Sequence, residues 1–235
     1  MTGSRQQCEY AGSMPRVRIE LVEEEIDLGS GLRARIGRPR EPGRLLDDAV
    51  SSGAIDAPYW AEPWPSARAL AAHVAALDLR GVRAVELGCG LALPSVAAAL
   101  RGAKVLAVDN DPQAVRIARS NGRRAGARVR GLVADLRDPS RELVGAGPFD
   151  LVLVADVLYD DSLAGALAAL IPRLAAPEGR VLVAYPWRGQ ADDLAHALEQ
   201  AGLTVRLREL EAPGLPQSRA VGLLEGSLRM PRTIG

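Results

Sequence analysis

The chain has 235 residues, 48% of them hydrophobic, which suits one α/β domain with its own core and a modest N-terminal extension. Lys+Arg and Asp+Glu both number 29, so the formal net charge is zero and no overall attraction to nucleic acid remains to argue from. No stretch is long and apolar enough to span a bilayer, Met1 to Pro15 lacks the apolar run of a signal peptide, and Cys8, Cys89 and the two histidines show no zinc-site spacing, so a reducing cytoplasm is the expected setting.

Residues 1–15 read as a disordered tail, 16–58 as an N-terminal extension and 59–235 as the main domain. In the extension, Val17, Ile19 and Leu21 alternate, as do Leu32, Ala34 and Ile36, on either side of Gly29-Ser30-Gly31. This pattern predicts a β-hairpin over 17–36. Residues 37–58, rich in Pro, Gly and charge, read as a loop with one helical turn at most. The aromatic segment Tyr59 to Pro65 follows, where prolines at 58, 63 and 65 forbid a regular helix. Ser66 to Leu77 is an alanine-rich helix.

Strands are then predicted at Val82–Leu87, Lys104–Asp109, Val129–Ala134, Asp150–Asp156 and Arg180–Tyr185. They alternate with helices at Pro94–Arg101, Pro112–Ala125, Ser162–Ala175 and Ala191–Ala201. Val82–Leu87 and Leu151–Val154 are almost wholly apolar, the mark of strands buried on both faces of a parallel sheet. The last two strands, Thr204–Glu211 and Arg219–Ser227, have no helix between them and form an antiparallel hairpin. The expected fold is therefore a Rossmann-like α/β sheet of seven strands, mostly parallel, with helices on both faces. His73 and His196 fall in helices away from the carboxyl ends of the strands and read as packing or surface residues.

The strongest local signal is Val85-Glu86-Leu87-Gly88-Cys89-Gly90-Leu91-Ala92-Leu93 at a strand-to-helix turn. Gly88 and Gly90 let the backbone turn tightly and approach a ligand. Asp109 ends the next strand, where a carboxylate reaches ribose hydroxyls at the switch point of a sheet. Asp135 closes the third strand and can accept a hydrogen bond from an adenine amino group. A dinucleotide site would need its third glycine at Leu93, where there is none. The acidic-x-G-x-G-x-G pattern of class I S-adenosylmethionine-dependent methyltransferases puts it at Ala92, a departure of one methyl group. The chain resembles that class, and the terminal hairpin fits its layout. The candidate cofactor set is Trp64, Glu86, Gly88, Cys89, Gly90, Asp109, Asn110, Asp135, Leu136 and Ala155, with S-adenosyl-L-methionine as the cofactor and no metal. Glu86 is expected to help hold the methionine part; Cys89 reads as a small filler in the loop.

After the fourth strand comes Asp156-Val157-Leu158-Tyr159-Asp160-Asp161, a D-x-x-Y pattern. With Pro58-Tyr59-Trp60-Ala61-Glu62-Pro63-Trp64-Pro65-Ser66, it resembles the seven-strand protein-lysine methyltransferases, in particular the family acting on the electron-transfer-flavoprotein β subunit. The likeness runs from about Val17 to Ser227. It implies that Trp64 borders the cofactor, that Trp60 borders the substrate site, and that Asp156 and Tyr159 are catalytic; Trp187 is a further substrate-binding candidate by its place at the mouth of the site. Tyr185-Pro186-Trp187-Arg188 departs from the family's D-P-G-R-like stretch at the mouth of the site. Asp156 has a second reading, as the helix N-cap of the segment after it.

A protein lysine is thus the expected acceptor, with the electron-transfer-flavoprotein β subunit one candidate partner. Deprotonating a lysine at pH 7 costs about 4.6 kcal/mol, so the site must favour the neutral amine or take its proton late. The alternatives are a small-molecule amine or hydroxyl acceptor and, from another class, a cofactor-binding scaffold without catalysis.

Overall fold

The computed structural model describes residues 19–51, 57–158, 161–186, 190–210 and 221–228. The N-terminal hairpin pairs β1 (Leu21–Gly29) with β2 (Leu32–Pro39) as a separate two-stranded sheet. Gly29, Ser30 and Gly31 all take positive φ, which is why two glycines flank the turn. One face of the hairpin carries Ile26, Leu28, Ala34 and Ile36, all buried in the core formed with the helices beneath. The isoleucine and leucine side chains contribute roughly 1.5–3 kcal/mol each when fully buried. The hairpin is therefore part of the domain's core.

Residues read as a loop hold a helix instead, α1 (Pro42–Ser51). Pro42 and Gly43 look like breakers, but Pro at the first helical position is a helix start, since its missing N–H has no intrahelical partner there in any case. A single 3-10 turn at Tyr59–Ala61 then leads into α2 (Pro65–Ala75).

The main sheet comprises β3 (Arg83–Leu87), β4 (Lys104–Asp109), β5 (Val129–Val133), β6 (Phe149–Ala155), β7 (Ala175–Pro186), β8 (Leu203–Leu210) and β9 (Val221–Leu228). Its order is β5-β4-β3-β6-β7-β9-β8. The first five of these pair in parallel, and β9 pairs antiparallel with both β7 and β8. The expected seven-strand architecture is borne out. Between the strands lie α3 (Leu93–Leu100), α4 (Pro112–Arg124), α5 (Arg141–Ala146), α6 (Asp161–Leu174) and α7 (Gln190–Gln200). The short α5 was not expected; Ser140 caps it by accepting from the Leu143 N–H.

Alternate residues of each central strand face opposite layers. Leu151, Leu153 and Ala155 of β6 join the core with α2, α3 and the hairpin, whereas Val152 and Val154 join the core with α6 and α7. From β3 the chain winds one way through β4 and β5, and then returns to the other side of β3 as β6. The carboxyl ends of β3 and β6 therefore meet at a topological switch point, where open α/β sheets bind ligands. Among the described residues no helix is long and apolar enough to cross a membrane.

Candidate functional site

A cavity of about 270 Å³ opens at that switch point. Four strand ends and the aromatic segment build it. Gly88 leaves β3 at φ +69°, and a Cβ there would lie 2.6 Å from Val157 Cγ2, in the loop after β6. Gly90 has φ +48°, and a Cβ would sit 3.2 Å from the Trp60 carbonyl oxygen. Both glycines are thus required by left-handed backbone and by close approach of other segments. Ala92, where the motif's third glycine is expected, also takes φ +61°. The one-methyl departure therefore carries backbone strain.

The carboxylates at the strand ends are held by backbone N–H groups. Asp109 accepts from Gly90 N at 2.9 Å through Oδ2 and from Asp111 N at 3.1 Å through Oδ1. Burial pushes its carboxyl up to about 6. Glu86, 1% exposed, accepts from Ser95 N at 2.9 Å. Burial pushes it up to about 8; its contact with Ser95 opposes the rise only in part, and the nearby Asp109 adds to it. Ser95 is in the first turn of α3, whose N-cap residue Ala92 has no side chain able to cap. Glu86 therefore caps α3 from the end of β3.

Asp156 does the same for α2. It follows β6 at φ +57°, its N–H donates to Ala184 O at 3.0 Å, and its Oδ2 accepts from Ser66 N at 3.1 Å. Trp64, the N-cap residue of α2, offers no side-chain cap of its own. The capping role weighed for Asp156 is thus present at α2, 90 residues back in the chain. A negative charge at a helix N-terminus is also favoured by the helix dipole.

The aromatic segment forms one wall. Trp60 is buried with Ile19, Ala61, Leu91, Ala114 and Ile117, and its indole N–H donates to Asp111 Oδ2 at 2.6 Å. It thus sits on the Asp109–Asp111 side of the cavity. Trp64 lines the cavity with its indole N–H donated to the Tyr59 carbonyl at 2.8 Å. Asn110, Leu136 and Ala155 line the cavity as well. Asp135 is an exposed rim residue, accepting from Arg137 N at 2.8 Å. Cys89 is buried, and burial pushes its thiol well up, so it is no nucleophile. Tyr159 and Trp187 lie outside the described residues.

The cavity also takes in residues that sequence reasoning did not single out: Asp111, Glu62 and Arg137. Asp111 was findable, because Asp before Pro is a helix-start signature, and it does cap α4 by accepting from Gln113 N at 2.7 Å. Nothing in the local sequence marks Glu62 or Arg137.

This lining selects the ligand's charge. Glu62, Glu86, Asp109, Asp111, Asp135 and Asp156 face or rim the cavity, and Arg137 is the sole Lys, Arg or His among its described lining residues. The N-terminus of α3, where a dinucleotide's pyrophosphate would dock, already holds the Glu86 carboxylate. A cofactor bearing a sulfonium and an ammonium group fits these residues, and a pyrophosphate does not.

Fold and site together are those of the S-adenosylmethionine-dependent methyltransferases. Within that class the chain belongs to the lysine methyltransferase family, whose family model matches residues 57–197, more than half of the chain. An electron transfer flavoprotein β subunit lysine methyltransferase of Xenopus laevis is 35% identical over 141 residues, covering 57% of this chain and 54% of the relative. A ribosomal protein L11 methyltransferase of Aliivibrio fischeri (strain MJ11) is 35% identical over 126 residues, covering 51% and 38%. The chain thus spans about half the length, or less, of these curated relatives.

Among solved structures, a magnesium protoporphyrin IX methyltransferase of Synechocystis PCC 6803 with bound S-adenosylmethionine superimposes with a TM-score of 0.59 at 18% identity, covering 80% of this chain and 97% of that one. A TehB-like methyltransferase of Corynebacterium glutamicum gives 0.53 at 19%, covering 80% and 96%. At such identities the likeness is one of fold.

Proposed function

We propose that this chain N-methylates a lysine side chain of a protein, with S-adenosylmethionine as donor. The observation that carries the reading is Asp156. It stands at the cavity wall with its backbone tied to β7 and one carboxylate oxygen tied to α2. A carboxylate fixed in this way can accept a hydrogen bond from an approaching amine and aim its lone pair. Bound S-adenosylmethionine supplies an electrophilic methyl group: the new N–C bond forms as the C–S bond breaks, its electron pair stays on sulfur, and the amine's proton leaves to solvent. The acidic lining attracts an ammonium-bearing side chain. An arginine acceptor, with its far higher pKa, is disfavoured.

In this reading Asp109 serves the ribose, with Trp60 as the support of that side, and Trp64 packs against the cofactor. Glu86, Gly88, Cys89 and Gly90 hold the methionine part, while Ala155, Asn110, Asp135 and Leu136 complete the cofactor wall. The relatives named for the electron transfer flavoprotein β subunit make that protein the first acceptor to try.

The test is transfer of labelled methyl from S-adenosylmethionine to purified electron transfer flavoprotein and, in parallel, to a lysate of the source organism resolved by size. Methyl-lysine is then identified in any labelled band. One labelled band that is lost with Asp156→Ala is the expected outcome. Label confined to small molecules, with cofactor still bound, would replace the protein acceptor by a metabolite amine. Cofactor bound with no transfer to anything would leave a scaffold.

A further inference from the structure

Asn121, on the last turns of α4, is fully buried and makes three hydrogen bonds. Its Oδ1 accepts from Gly37 N at 2.8 Å, and its Nδ2 donates to Gly37 O at 3.1 Å and to Leu91 O at 3.0 Å. Gly37 belongs to β2 of the hairpin, and Leu91 lies between Gly90 and Ala92 in the cavity-lining loop. The side-chain amide thus replaces a strand neighbour for Gly37, and its second N–H grips the glycine loop. No apolar residue of similar size can do this without leaving three buried backbone groups unpaired.

The loop needs such a grip. Gly88, Gly90 and Ala92 all have positive φ, and Ala92 bears the strain of a left-handed non-glycine residue. The hairpin in turn is anchored independently. Its inward face is in the core, Arg124 of α4 pairs with Glu23 at 3.1 Å, and Arg68 of α2 pairs with Glu24 at 3.4 Å. Between a well-held hairpin and a strained loop, a side chain hydrogen-bonded to both carries position from one to the other.

We propose that Asn121 is a positioning residue of the cofactor site, and that through it the N-terminal hairpin sets the shape of the glycine loop. This rests on the reading that the cavity holds S-adenosylmethionine.

The experiment uses the full chain and the product analogue S-adenosylhomocysteine. Calorimetric Kd is compared for the wild type, Asn121→Asp and Asn121→Ala, and amide exchange is followed without ligand. Asn121→Asp is isosteric: it keeps the acceptor for the Gly37 N–H but replaces the two donated bonds by an oxygen set against the Gly37 and Leu91 carbonyls. It should weaken binding about tenfold, the equivalent of one lost hydrogen bond. It should also speed exchange from Cys89 to Leu93 while β6 keeps its protection. A merely structural residue would lower melting temperature with Kd unchanged.

A second measurement needs no variant. Coupling is reciprocal, so binding of S-adenosylhomocysteine to the wild type should slow exchange at Gly37, which does not line the cavity. Unchanged Kd in a folded Asn121→Asp variant, or protection that stops at the loop, overturns the proposal. Gly88→Val is the control: if it still binds S-adenosylhomocysteine, the cavity reading itself has failed.

Discussion

The ends of β3 and β6 lie side by side at the cavity, and they are built on opposite principles. At the β3 end most of the machinery is close in the chain. Glu86, Gly88, Gly90 and Ser95 lie within ten residues, Asp109 follows on the adjacent strand, and the carboxylates are sealed from water at 1% and 7% exposure. At the β6 end the residue that matters, Asp156, is half-buried and finds its partner 90 residues away in α2. Yet one device serves both. Each of α2 and α3 begins on a residue with no side-chain cap, and each receives a carboxylate from a strand end. In the proposed reading, a cofactor end that binds one molecule is written into one turn of chain, whereas an acceptor end assembled from distant segments can be retuned by changing either one.

The comparison breaks first at Gly88. Valine there must overcome both the +69° φ and a Cβ 2.6 Å from Val157, so cofactor binding should be lost and stability should fall by roughly 2 kcal/mol or more. Cofactor titration and a melting curve check both. Next comes Asp156. Asn keeps an oxygen for the Ser66 N–H but removes the charge; Ala removes both. We expect each to lower methyl transfer about 100-fold, near 2.7 kcal/mol in barrier. Only the alanine should also lose about 1 kcal/mol of folding stability with the cap. Full activity in Asp156→Asn would reduce the residue to a cap.

A third effect separates the two ends by pH. The folded-state carboxyls at the β3 end are raised above the ordinary range, to about 6 for Asp109 and about 8 for Glu86. In that window the folded chain holds protons that the unfolded chain has released. The cofactor-free protein should therefore lose stability as pH rises from the ordinary carboxylate range through about 8, and Glu86→Gln should flatten the upper part of the profile. A cationic cofactor favours the ionised forms, so its affinity should rise over the same window. The smallest effect is at Ala92. Glycine relieves a left-handed strain of about 1–2 kcal/mol but removes a buried methyl worth about 0.8 kcal/mol. A net gain of roughly 0.5 kcal/mol in a denaturant melt is expected, the strain term being the larger.

Which parts of this were legible beforehand follows the same division. The strands, five of the helices and the hairpin are periodic patterns, visible because burial on a strand or helix face repeats every two or 3.6 residues. The glycine loop was legible because backbone geometry restricts residue type at single positions. The helix α1 was hidden by Pro42 and Gly43, read as breakers where the proline in fact starts the helix. Trp60 was placed by resemblance at the substrate; the structure puts its indole on Asp111, beside the Asp109 side of the cavity. Asn121 gave no signal at all, since a buried amide is recognisable only by what it bonds.

By itself the amino-acid sequence determined the class of fold, the glycine turn that lines the cavity, and the acidic strand ends around it. All of these depend on residues near one another in the chain, where steric and periodic rules act directly. Only the tertiary structure decided that Asp156 caps α2, that Glu86 caps α3, that Trp60 braces Asp111, and that Asn121 joins the hairpin to the glycine loop. Each of these satisfies a buried or helix-terminal polar group with a side chain from another element. The unpaired group creates the need, but the packing of the whole domain selects which distant residue meets it.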